Sequence, residues 1–118
     1  MVNYEDPLDD VFMALAHPAR RSMLARLGQG EATVGELAEP LKMSLPAVTK
    51  HLNVMERARL ISRSKRAQWR LCRLEAAPLE AAAAWIDTQR DVWEARLDRL
   101  EAHLHTMDTT EGDADGKR

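Results

Sequence analysis

Apolar residues fall along this chain in four short helical stripes, then a break, then one long stripe. Leu8, Val11, Phe12 and Leu15 stand at i, i+3, i+4 and i+7, which is one face of a short helix. His17-Pro18 ends it, because a proline pushes the residue before it out of the helical region. Pro18 itself suits the first turn of a second helix, where a missing N–H costs nothing. That helix turns Met23, Leu24 and Leu27 inward and stops at Gly28 and Gly30. Thr33 and Glu36 have the spacing of a capping box, and they open a third helix with Val34, Leu37, Ala38 and Leu41 in the same phase. Pro40 makes its last turn irregular. After a turn of about three residues, Ser44 can cap a fourth helix that tolerates Pro46 in its first turn and buries Val48, Leu52 and Met55.

From Leu60 the period changes. Ile61–Ser64 and Gln68–Leu74 read as two strands with Lys65 and Arg66 at the tip, joined by a turn near Lys65–Ala67 that lacks the usual Gly or Asn. Alternation puts Trp69, Leu71 and Arg73 on one face and Arg70, Cys72 and Leu74 on the other, with Trp69 expected in the core or beneath the hairpin. A long helix follows from about Pro78 to Met107. Ile86, Trp93, Leu97, Leu100, Leu104 and Met107 recur in steps of 3 and 4, interrupted at Arg90, so the stripe calls for a partner helix. Residues 108–118 are polar and read as a disordered tail. The expectation is a single domain over residues 1–107, mainly α with a small β-hairpin, in the order α-α-α-α-β-β-α of a winged helix-turn-helix.

Composition changes that picture in one respect. The 118 residues suit one domain with one modest core. The net charge of -2 conceals a segregation. Residues 1–41 carry 3 basic and 7 acidic side chains, residues 42–73 carry 9 basic and 1 acidic, and residues 74–118 carry 5 basic and 11 acidic. A middle of net +8 between acidic ends is an electrostatic footprint for phosphate, and it coincides with the helix-turn-helix. No apolar run nears the ~20 residues of a bilayer span. The acidic start lacks the layout of a signal peptide, and the single Cys72 suits a reducing compartment, so a cytoplasmic protein with no membrane partner is expected.

In a helix-turn-helix the second helix enters the major groove of duplex DNA and its N-terminal residues reach base edges. With Val48, Leu52 and Met55 inward, the recognition helix at about 45–58 turns Leu45, Pro46, Thr49, Lys50 and Asn53 outward, after Ser44. Ser44 and Thr49 can donate to phosphate or bases, Lys50 can meet phosphate or guanine, and Asn53 can pair with adenine or the backbone. Leu45 and Pro46 offer apolar contact, as to a thymine methyl. Each has a plainer role: Ser44 as a cap only, Pro46 as a stiffener, Asn53 as a solvated residue. His51, beside the apolar stripe, reads as a packing or inter-helix hydrogen-bonding residue. The wing at about 61–74 adds Arg63, Lys65, Arg66 and Arg70 for backbone or minor groove.

Over residues 8–107 the chain resembles the ArsR/SmtB family of winged-helix repressors. The resemblance is carried by residues 14–21 (ALAHPARR), 34–38 (VGELA), 44–52 (SLPAVTKHL) and Leu60-Ile61. The terminal helix, with Trp85, Trp93, Leu97 and Leu100, is similar to that of a metal-independent branch. The resemblance implies a homodimer in which first and last helices pair across a two-fold axis, through Leu8, Phe12, Trp93, Leu97, Leu100 and Leu104. It further implies repressive operator binding, often at the protein's own promoter, with Ser44, Leu45, Pro46, Thr49 and Lys50 in the recognition helix and Lys65 and Arg66 in the wing. Two positions depart from the pattern: Leu45 stands where a polar residue such as Gln is common, and the wing lacks its usual Gly.

Two other readings compete. A metal- or redox-gated regulator of the same family needs a sensor site. Residues 33–41 contain no cysteine, and thiolate sensing needs two or three sulfurs where the chain has one. His103 and His105 are two apart, so on a helix they point about 200° apart, which leaves only a site assembled across a dimer. Cys72 can oxidise, but reads as a buried small hydrophobe. A winged-helix module that binds proteins instead of DNA is the other. No nucleophile, triad or phosphate-loop arrangement points to an enzyme, and no cofactor or metal is expected. The sequence names neither the effector nor the operator.

Overall fold

The computed structural model describes residues 6–116, with side chains over 6–108. Residues 1–5 of the acidic start and 117–118 of the expected tail lie outside the described residues. The elements are α1 (Pro7–Leu15), α2 (Pro18–Leu27), β1 (Ala32–Thr33), α3 (Val34–Ala38), a 3-10 turn (Glu39–Leu41), α4 (Leu45–Arg57), β2 (Ile61–Arg66), β3 (Trp69–Leu74) and α5 (Ala77–Gly116). The chain divides into two units, Met1–Ala83 and Ala84–Arg118.

In the first unit the helical stripes meet in one core. Val11 and Ala14 of α1, Met23 and Leu27 of α2, Leu37 of α3, and Val48, Leu52 and Met55 of α4 are all buried there, closed by Leu60, Ile61 and Cys72. The starts of α1 to α4 are each capped by a side chain, as exposed N–H groups require. Asp6 accepts from the Leu8 N–H at 2.9 Å, and His17 Nδ1 from the Ala19 N–H at 3.1 Å. Thr33 and Glu36 close the expected capping box, each accepting the other's N–H at 3.1 Å. The last carbonyls of α1 are closed from α2. Arg20 donates to the carbonyls of Ala14 and Met13, both at 2.8 Å, and Arg21 to that of Leu15 at 2.7 Å, where the helix dipole favours cations.

The sheet has three antiparallel strands in the order β1-β3-β2. β1 is two residues long, too short for any periodicity to announce, and pairs Ala32 with Cys72 and Thr33 with Leu71. The hairpin pairs Ile61 with Leu74 through to Arg66 with Trp69, leaving Ala67 and Gln68 as a two-residue loop. The turn therefore falls later than the expected Lys65–Ala67. Ala67 has φ 56°, the positive value that a type II′ turn demands of its first loop residue. Trp69 is not in the core: it is 57% exposed, because β1 covers β3 only at Leu71 and Cys72 and the tip of β3 outruns that cover.

The second unit is the body of α5. Its backbone is helical through Gly116, where a disordered tail was expected from Asp108. Once nucleated, a helix gains one hydrogen bond per added residue, so polar residues can extend it. Its large apolar side chains from Trp85 to Met107 are 42–62% exposed. Arg90, which interrupts the stripe, pairs with Asp87 at 3.0 Å. No helix among the described residues is long and apolar enough to cross a membrane.

Candidate nucleic-acid interface

The turn between α3 and α4 passes through Lys42 in the left-handed region, φ 53°, and delivers Ser44 as the cap of α4. Ser44 Oγ accepts the Ala47 N–H at 3.3 Å. Its hydroxyl proton remains a donor, so capping and a phosphate contact are compatible. Val48, Leu52 and Met55 are fully buried, and the opposite surface leaves Leu45, Pro46, Thr49, Lys50 and Asn53 exposed. The phase inferred from the sequence is the phase observed.

The wing changes character along its length. The face that sends Ile61 and Cys72 into the core carries Arg63 next and then the cross-strand pair Lys65 and Arg70 at the tip. The other face carries Arg66 opposite Trp69. Thr49 and Asn53 of α4 line a furrow with Ser64, Lys65 and Arg70 of the wing. Arg70, expected in the wing with Lys65 and Arg66, lines this furrow.

Arg63 and Asn53, both expected to face DNA, are engaged within the chain. Arg63 donates to both oxygens of Glu56, at 2.8 and 3.1 Å, and to Asn53 Oδ1 at 2.7 Å. Glu56 is the one acidic residue of 42–73. The hydrogen bonds from Arg63 hold the Glu56 carboxyl below its ordinary value, and Glu56 in turn raises Arg63. This fork braces the wing against the recognition helix. Sequence spacing alone gave no sign of the pairing, because residues 53, 56 and 63 meet only once α4 and β2 pack together.

His51 makes the inter-helix bond expected of it. Its Nδ1 lies 3.1 Å from Arg20 Nη1. A guanidinium can only donate, so His51 accepts and carries its proton on Nε2. Its ring centroid is 4.4 Å from that of His17. Burial, then the charges of His17 and Arg20, lower its pKa below the ordinary value. Cys72 is fully buried, and burial raises its thiol pKa against the opposing pull of Arg63, which keeps it in the unreactive thiol form. Among the described residues, no three His, Cys, Asp or Glu side chains gather into a metal-holding group.

An exposed helix N-terminus after a short turn, flanked by a basic two-stranded wing, defines a winged helix-turn-helix DNA-binding domain. A family model described as a helix-turn-helix domain matches residues 15–63. The chain is 38% identical over 87 residues to the HTH-type transcriptional regulator Rv2034 of Mycobacterium tuberculosis, covering 74% of this chain and 80% of that protein. It is 32% identical over 79 residues to the transcriptional repressor SdpR of Bacillus subtilis, covering 67% and 88%. The crystal structure of an ArsR family transcriptional regulator, RHA00566, superposes with a TM-score of 0.71 at 41% identity, covering 80% of this chain and 97% of that one. The chain belongs to the ArsR family of helix-turn-helix transcriptional regulators.

Proposed function

We propose that the protein is a cytoplasmic, homodimeric repressor that reads duplex DNA with the N-terminal half of α4. The observation that carries this reading is the exposed surface of Leu45, Pro46, Thr49 and Lys50 set against the buried Val48, Leu52 and Met55, continuous with a cationic wing. Ser44, Leu45, Pro46, Thr49 and Lys50 face the major groove, and Lys65 and Arg66 hold the backbone beside it. Asn53 and Arg63 act at one remove, fixing the angle between wing and helix through Glu56.

Dimerisation is supported by the apolar seam of α5. Trp93, Leu97, Leu100 and Leu104 are spaced as coiled-coil positions, and each is at least 42% exposed. So large an uncovered apolar stripe marks an interaction surface, and a second copy presents the same stripe. On α1, Leu8 is half-buried and Phe12 is 36% exposed; their part in dimerisation is supported by the family resemblance. A two-fold dimer reads two half-sites about one helical turn apart. Repression is supported by the name of the Bacillus subtilis relative. The buried thiol of Cys72 supports a mechanism without redox gating, and the family resemblance supports binding rather than catalysis.

The test is footprinting on the DNA upstream of the protein's own gene, searched for an inverted repeat. Protection of a two-fold site is expected, with Lys50→Ala weakening it by about 1–3 kcal/mol while the dimer persists. Wild-type affinity in Lys50→Ala removes α4 from the proposed reading role.

A further inference from the structure

We infer that Trp69 is a DNA contact, its indole lying against the deoxyribose edge of the strand that passes between recognition helix and wing. The inference rests on the DNA-binding reading of α4 and goes beyond the charged residues that reading names. Trp69 opens β3 at 57% exposure, one residue after the hairpin loop and opposite Arg66. It holds no place in the core, and β1 stops short of it, so the edge of β3 at residues 69–70 is uncovered. That edge borders a furrow of about 390 Å³ running to the start of α4. Leu45, itself 57% exposed, and Trp69 are its large apolar side chains; residues 33–35 at the start of α3 form one wall, and Thr49, Arg63, Gln68 and Arg70 complete the lining.

The occupant follows from chemistry and position. A nucleic-acid strand alternates an anionic phosphate with an apolar sugar face. The furrow sets apolar Leu45 and Trp69 beside cationic Arg70, with Arg66 across from Trp69. With α4 in the major groove and the wing on the far side of one backbone, that backbone lies in the furrow between them. Trp69 stands in the last cross-strand pair before the loop, at the tip of β3, and lines the furrow wall with Leu45; a ring against that wall suits the sugar edge better than a wedge between base pairs. Glu36, which lines the other side of the ring, has both oxygens occupied, one by the Thr33 N–H and the other by Arg26. Its charge is thereby offset.

The experiment uses the full chain and a random-sequence duplex at low salt. In the wild type, duplex is expected to shift tryptophan emission and shield it from acrylamide, and Trp69→Phe should abolish that response while keeping most of the affinity. Trp69→Ala should bind about tenfold more weakly with the salt slope unchanged, since an apolar contact releases no counterion. Arg66→Ala should instead lose about one unit of slope per protomer. A wild-type fluorescence response that persists in Trp69→Phe, or wild-type affinity in Trp69→Ala at an unchanged melting temperature, overturns the assignment of Trp69 alone. A loss of salt slope in Trp69→Ala overturns it as well. A wild-type protein that binds no duplex overturns the DNA reading beneath it.

Discussion

Three non-glycine residues among those described hold positive φ: Lys42 at 53°, Arg59 at 61° and Ala67 at 56°. Arg59 ends α4 in a Schellman arrangement. Its N–H bonds the Glu56 carbonyl at 2.9 Å, and the Leu60 N–H bonds that of Met55 at 3.0 Å. Ala67 occupies the hairpin position that favours Gly. An L-residue there is strained by about 1–2 kcal/mol, so Arg59→Gly and Ala67→Gly are each expected to stabilise the fold by about 0.5–1 kcal/mol, read by urea unfolding. The hairpin and its missing glycine were legible in the sequence; the exact loop was not, because cross-strand pairing along six residues sets the register and outweighs one strained loop position. His51 supplies the second residue-scale prediction. Unfolded, it takes a proton near pH 6.5, while the folded pKa is lower. The folded form thus resists protonation, and its stability is full above about pH 6.5 and lost as the pH falls toward the lower folded value. The melting temperature of the wild type should drop between pH 7.5 and 5.5, and His51→Asn, which keeps an acceptor near Arg20, should lose that part of the drop. An equal drop in both proteins contradicts it.

At the scale of elements, what carried a period was readable. The stripes of α1 to α4 follow from the spacing of Val11, Leu27, Leu37 and Leu52, because burial imposes the helical repeat, and the exposed seam of α5 keeps that repeat at Leu97. What lacked a period was not. β1 is a two-residue strand visible only through its partners Leu71 and Cys72. Trp69, expected in the core or beneath the hairpin, is exposed because of where β1 ends. Arg63 looked like a phosphate contact by its charge, and its bond to Glu56 depends on how β2 packs on α4. The seam of α5 has the sharpest test at this scale. Leu97→Asp combined with Leu100→Asp is expected to give monomers with poor DNA binding. These side chains are 42% and 53% exposed in the single chain, so the first unit should keep its fold. Sedimentation that finds an intact dimer takes α5 out of the interface.

For the whole molecule the governing quantity is where the charge sits. A net charge of -2 argues against a partner as acidic as DNA, yet residues 42–73 carry net +8, and their one acidic residue is spent on Arg63. Lys50, Lys65, Arg66 and Arg70 remain exposed around the recognition helix and the wing, between segments that are acidic on either side. This part of the site was legible in the sequence because charge is counted without knowing the fold; which cations stay available needed the packing of wing on helix. Four phosphate contacts per protomer correspond to a slope of about -3.6 in log K against log salt, and a dimer doubles it. The direct measurement is fluorescence anisotropy of a labelled duplex titrated with the protein from about 50 to about 200 mM salt, for the wild type and for Arg66→Ala. A steep loss of affinity with salt is predicted, shallower by about one unit per protomer in the variant; binding insensitive to salt, or a slope that Arg66→Ala leaves unchanged, would contradict the account.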